Sequence, residues 1–170
     1  MKRVQGNKGI ALIECINPML RKYRVRWDIQ PHINEEGEER DVSFFEAEIL
    51  HTPSIGEVKK VVLDGYNVII DEKILSGFVW RGMNVWLSSE NQFNYKAAYD
   101  LAVMAEGKTL PAIFKFGTAY EPIYYEFTTL DELSDFYLRA MKYINDCLNE
   151  GWKMKDGIDW SEYEEALKKL

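Results

Sequence analysis

Cysteine and histidine are scarce in this chain, two of each among 170 residues. Cys15 and Cys147 stand far apart and outside any C-x-x-C spacing, which excludes a disulfide scaffold and a thiolate zinc site. Both are expected as free, small apolar residues in a reducing, cytoplasmic setting. His32 and His51 fall in no H-x-H, H-x-x-H or H-E-x-x-H pattern, so no metal ligands are expected. The glycine-rich loops G-x-G-x-x-G and G-x-x-x-x-G-K-[ST] are absent, and with them the usual cradles for a nucleotide cofactor; none is expected. There is no G-x-S-x-G elbow to suggest a serine nucleophile, although a triad assembled in space would leave no spacing signal. Positive charge is also in deficit. Twenty-one Lys and Arg against 28 Asp and Glu give a net charge of −7, which argues against nucleic acid and anionic membrane surfaces as partners. No apolar run approaches the roughly 20 residues of a membrane span. The opening MKRVQGNKGIALIEC is basic, but its apolar run is too short and interrupted for a secretory leader.

What the chain has in quantity is aromatic surface: five Trp, ten Tyr and eight Phe. A chain of this length can bury about two thirds of its unfolded surface. So many rings still predict that some lie at a groove or an interface.

The hydrophobic pattern predicts an α+β fold. Residues 9–15 (GIALIEC), 22–29 (KYRVRWDI) and 43–51 (SFFEAEILH) read as three antiparallel strands. In the second, Tyr23, Val25, Trp27 and Ile29 alternate with Arg24, Arg26 and Asp28; in the third, Phe45, Ala47 and Ile49 share the inner face. An acidic tip, NEEGEERD, joins them. Ser54 and Glu57 then form a capping box for a helix with the stripe Val58, Val61, Val62, Tyr66, Ile69 and Ile70, stopped near Gly77. A ββα pattern comes next, twice. The first pass is FVW, MNVWL, and a helix from a Ser89/Gln92 box to about Glu106, with Phe93, Ala97, Leu101 and Met104 as its core stripe. The second is PAIFKF, IYYEF, and a helix from a Thr129/Glu132 box to about Gly151, carrying Leu133, Phe136, Tyr137, Ala140, Met141, Ile144 and Leu148. A short final helix is expected from a Ser161/Glu164 box. This divides the chain into a βββα unit over 1–76 and a ββαββα unit over 77–170, which could pack as one body.

Candidate binding residues come from the hairpins. An Arg81-Gly82 turn would pair Trp80 with Met83 and put Phe78, Trp80, Met83, Val85 and Leu87 on one core face. Trp86 then falls on the other face, with Val79 and Asn84, and needs its own cover: the N-terminal unit, a second subunit or a partner. In AYEPIYYEF, Tyr124 and Tyr125 face opposite ways, one toward the core, and Tyr120 stands at the turn tip. Trp86, Tyr120 and Tyr124 are therefore the expected contact residues for a protein partner. The carboxylates Glu35, Glu36, Glu38, Glu39 and Asp41, and Asp156, Asp159, Glu162, Glu164 and Glu165, lack the order of a calcium loop and read as solvated charge.

The stretches GFVWRGMNVWLSSENQFNYKAAYDLA, IFKF and PIYYEFTTLDELSDFYLRAMKYINDCLNEGWKMKDGID carry a resemblance over residues 75 to about 167. The chain resembles a domain of unknown function found in bacteriophage and prophage proteins, often associated with tails or tail-fibre assembly. KYRVRWDI followed by FFEAEILH is similar to the front of Bacteroides-type prophage proteins of this kind. The resemblance implies a non-enzymatic structural, assembly or adaptor role, with phage tail components as partners, possible self-association into a homo-oligomer, and a cytoplasmic or virion-associated location. It brings no catalytic residues. Two other readings stay open from the residues: a small-molecule, peptide or glycan binding module using the exposed aromatics, and a small hydrolase assembled from scattered Asp, Glu, Tyr and His.

Overall fold

The computed structural model describes residues 1–33, 39–118 and 120–170. Of the acidic tip read at residues 34–41, residues 34–38, with Glu35, Glu36 and Glu38, lie outside the described residues. The fold is α+β, and its residues separate into two compact units that interleave in sequence: residues 1–69 with 153–170, and residues 70–152. These units divide at 69/70 and 152/153, where the sequence pattern places one seam near residue 76. Each has its own buried cluster.

The first unit is built on an antiparallel sheet of four strands, β1 (Val4–Asn7), β2 (Ile13–Asn17), β3 (Lys22–Ile33) and β4 (Glu39–Ile49), in the order β1-β4-β3-β2. Three strands were expected. The extra one, VQGN, is short and mostly exposed, so it carries no alternation to betray it; backbone pairing along β4 recruits it. Ile13, Val25, Trp27, Phe45 and Ile49 point inward and are buried with Val58, Val62 and Tyr66 of helix α1 (Ile55–Ser76) and Tyr163 of helix α4 (Trp160–Lys168).

The alternation expected along β3 fails at Asp28. There φ is +52° and the register to β4 shifts between Trp27 and Gln30, a bulge that re-aims the remainder of the strand. The polar face of β3 is also covered rather than solvated. The buried Arg26 donates to Glu14 (2.6 Å), Glu46 (3.2 Å) and the Ala11 carbonyl (2.9 Å), and its guanidinium lies 5.4 Å from the centre of the Phe44 ring.

The second unit contains the hairpins β5 (Phe78–Trp80)–β6 (Met83–Val85) and β7 (Ala112–Gly117)–β8 (Pro122–Phe127), helix α2 (Ser89–Met104), the end of α1 and most of α3 (Leu130–Asp156). Its centre is Phe136, fully buried, with the rings of Trp80, Tyr95, Phe114, Phe116 and Phe127 within 5.1–5.8 Å. Most of the aromatic excess is gathered here, in edge and tilted contacts that add to burial.

Helix starts follow side-chain chemistry. The Ser54/Glu57 box closes both ways: the Glu57 backbone N–H donates to Ser54 Oγ, and the Ser54 N–H donates to Glu57 Oε2. At α3 the expected Thr129 accepts from the Glu132 N–H, while at the other two helices the cap sits off the expected residue. Ser88, one residue early, accepts from Asn91 N–H at α2, and Asp159, two early, accepts from Ser161 N–H at α4. α3 continues past Gly151, whose missing side chain makes room for Ile70. The largest correction concerns α2. Its buried residues are Tyr95 and Ala102, and the expected core stripe, Phe93, Leu101 and Met104, is exposed.

Candidate functional site

The 76–93 stretch turns back at Arg81-Gly82, where both residues have positive φ (50° and 78°). A two-residue turn of this kind matches the right-handed twist of its strands, and glycine takes the second position without a Cβ clash. The register is Phe78 to Val85, Val79 to Asn84 and Trp80 to Met83, as expected from the sequence. Phe78, Trp80, Val85 and Leu87 are buried; Val79, Asn84 and Trp86 point away from the core.

Arg81 locks the turn. Its guanidinium reaches Tyr125 Oη (2.7 Å) and Glu132 Oε1 (2.5 Å), and it lies 4.5 Å from the centre of the Trp80 ring. Tyr125 Oη donates to the same Glu132 oxygen (2.5 Å), and that bond, with burial, raises the tyrosine pKa. Glu132 thus commits its carboxylate to the hairpin, not to the Thr129 N–H that a full capping box requires; only the Glu132 N–H to Thr129 Oγ1 half forms.

In the second hairpin Phe114, Phe116, Tyr125 and Phe127 pack into the core, and Ile113, Lys115, Tyr124 and Glu126 face outward, with Lys115 directly opposite Tyr124. Tyr120, beyond β7, is 96% exposed, Tyr124 69% and Trp86 50%. The three residues expected to contact a partner are all at the surface of this unit. Trp86 and Tyr124 stand on the outward faces of their hairpins, and Tyr120 stands on the β7–β8 connection, where the Glu121 N–H donates to Thr118 Oγ1.

Between β6 and β7 lies a groove of about 500 Å³ lined by Ser76, Asn84, Trp86, Asn91, Lys115 and Thr118, with Phe116 and Gly117. Its wall is fixed by backbone ties. Asn91 Nδ2 donates to the Trp86 carbonyl, Gln92 Nε2 to the Leu87 carbonyl, and the Leu87 N–H to the Leu75 carbonyl. Among the described residues, one cation and no carboxylate line it, in a chain of net charge −7. The arrangement can stack a flat ring on Trp86, bond polar groups through Asn84 and Thr118, and place Lys115 against a negative charge. The hairpin register places Trp86; Lys115, Asn84 and Asn91 come from two strands and a helix, and no spacing ties them together. The one available signal was a lysine alternating with core rings in IFKF.

A second hollow of about 240 Å³, in the first unit, is lined by Asp28, Tyr66, Asp159, Glu162 and Tyr163, among others. Its carboxylates are largely committed. Asp28 is held by Arg3 (2.5 Å) and Gln30 (2.9 Å), and Asp159 caps α4. Burial, then the Asp28 charge, pushes the Tyr66 phenol up to about 12. Tyr163 Oη donates to the Arg26 carbonyl (2.9 Å), and burial raises its pKa. His32 Nε2 lies 3.2 Å from Gln5 Nε2, and His51 Nε2 2.6 Å from Glu57 Oε1. Among the described residues no group of three or more His, Cys, Asp or Glu could hold a metal ion, and no helix is long and apolar enough to cross a membrane.

Compared with known proteins, the chain matches no family model, no curated protein and no solved structure.

Proposed function

We propose that this chain is a non-enzymatic binding protein that docks another protein on the outward faces of its two hairpins. The observation that carries the reading is the pairing of exposed aromatics with a rigid backing. Trp86, just past β6, and Tyr124 on β8 face out from hairpins whose other sides are locked around Phe136. Large, stiff, amphipathic rings of this kind dominate protein interfaces because little side-chain entropy is lost on binding. Lys115, beside Tyr124 and at the edge of the Trp86 groove, sets the charge of the partner: an apolar patch around a carboxylate. The resemblance to phage tail and tail-fibre-assembly proteins supplies the setting, an adaptor or assembly role. A pull-down from the native host with and without prophage induction tests it. Trp86→Ala and Tyr124→Ala should each lower recovery of the captured protein at least tenfold, about 1.4 kcal/mol. Equal recovery by both variants ends the assignment of this face.

The groove favours a second reading, a small acidic ring-bearing ligand such as a uronic acid stacked on Trp86. A thermal-shift series with glucuronate, and with glucose as the neutral control, addresses it. A true ligand at 100 times its Kd stabilises by about 2.7 kcal/mol. No shift with either sugar removes this reading without touching the first.

A further inference from the structure

Helix α2 has two apolar sides, and only one is used. Tyr95, Tyr99 and Ala102 face the unit's core, with Tyr99 stacked on Tyr137 of α3 at 4.5 Å. At about 100° per residue, Phe93, Ala97, Leu101 and Met104 fall within roughly 80° of arc on the opposite side. Phe93 is 72% exposed, Leu101 56% and Met104 82%. The stripe runs about 16 Å along a helix held firmly from behind. An apolar face this regular is the mark of a helix that expects a neighbour.

We propose that the neighbour is α2 of a second copy of this chain, packed antiparallel about a two-fold axis passing near residues 98–99. The stripe is complementary to itself in that register. Phe93 meets the partner's Met104 at each end, and the small Ala97 opposes the larger Leu101 on either side of the axis, so knobs face holes. The charges agree. Lys96 and Asp100 occupy one flank of the stripe, and a two-fold of this kind sets that flank against itself, with each Lys96 facing the partner's Asp100. Within one chain the two already pair at 2.6 Å. The dimer gathers four alternating charges at the edge of the apolar seam. A parallel pairing would set that flank against the opposite one, Asn94 and Ala98, which offers neither charge a partner, and it is disfavoured for that reason.

Four side chains make a small seam, so the dimer is expected to be weak, half formed at roughly tens of micromolar. Sedimentation velocity on the full chain, from roughly 1 to 200 µM, reads it. The weight-average mass should rise with concentration toward twice the monomer. Leu101→Glu should stay monomeric throughout. Lys96→Glu should weaken association at least tenfold, and the double exchange Lys96→Glu/Asp100→Lys should restore it to within about threefold, since it reinstates every opposite-charge contact. These side chains are exposed, and unchanged circular dichroism would confirm that the variants fold. A wild-type chain that stays monomeric at 200 µM overturns the proposal. So does a dimer that survives Leu101→Glu. A dimer abolished by Leu101→Glu but not rescued by the charge exchange overturns the antiparallel register.

Discussion

Gly65 of α1 lies against the indole of Trp27, and a Cβ there would sit 2.2 Å from the ring. Trp27 is fully buried and cannot yield. Gly65→Ala is therefore expected to cost about 1–3 kcal/mol despite the better helix propensity of alanine, read as a lower urea midpoint at unchanged slope. Arg26 is a second residue whose role depends on surroundings. Replacing it with Met leaves Glu14, Glu46 and the Ala11 carbonyl without their donor. Glu14 stays half exposed, so the loss should fall at the low end for a broken buried pair, about 3 kcal/mol. Glu57 carries a pH signature. The Ser54 N–H, the Ser54 hydroxyl and His51 hold its carboxyl at about 2, well below the ordinary 4.5. Its folded-state pKa is depressed, so its contribution is fully present above pH 4.5 and is lost as pH falls through about 2. Glu57→Gln should flatten the stability profile across that window in denaturant titrations at stepped pH. The capping spacing made Ser54 and Glu57 legible from the sequence. Arg26 was legible only as a strand residue, because its cover comes from β2, β4 and the Ala11 carbonyl.

At the scale of elements, the β5–β6 hairpin is legible in the sequence down to its register. Only one two-residue turn fits Arg81-Gly82, and a slip by one would turn Phe78 and Trp80 out to solvent. Gly82→Val should therefore damage it. A β-branched side chain at φ +78° is strained, and a loss of about 1–2 kcal/mol is expected by chemical denaturation, with Trp80 fluorescence reporting the loosened hairpin. Helix α2 shows the converse. Its sequence carries two candidate stripes at helical spacing, and periodicity cannot say which faces inward. The choice was made by Phe114, Phe136 and Tyr137, which offer rings to Tyr95 and Tyr99 and nothing to Phe93. β1 was missed for a related reason, since a four-residue polar strand is defined by its partner's free edge.

On the scale of the whole molecule, a net charge of −7 and an isoelectric point near 5.0 disfavour non-specific association of the copies at neutral pH by charge repulsion. Turbidity is expected to be greatest near pH 5, where that repulsion vanishes, and to fall on either side. Composition alone governs this behaviour. The α+β class is nearly as local: periods of two and of 3.6, broken by caps and turns, are properties of adjacent residues. The sequence by itself determined the helix starts to within two residues, the Trp80–Met83 register and the outward side of Trp86. The tertiary structure alone decided the interleaving of the two units, the stripe α2 buries and the meeting of Lys115, Asn84 and Asn91 beside Trp86. Short-range order is written in the spacing of neighbours along the chain. Which face finds a complementary surface, and which residues far apart in sequence share a groove, depends on packing that no single segment encodes.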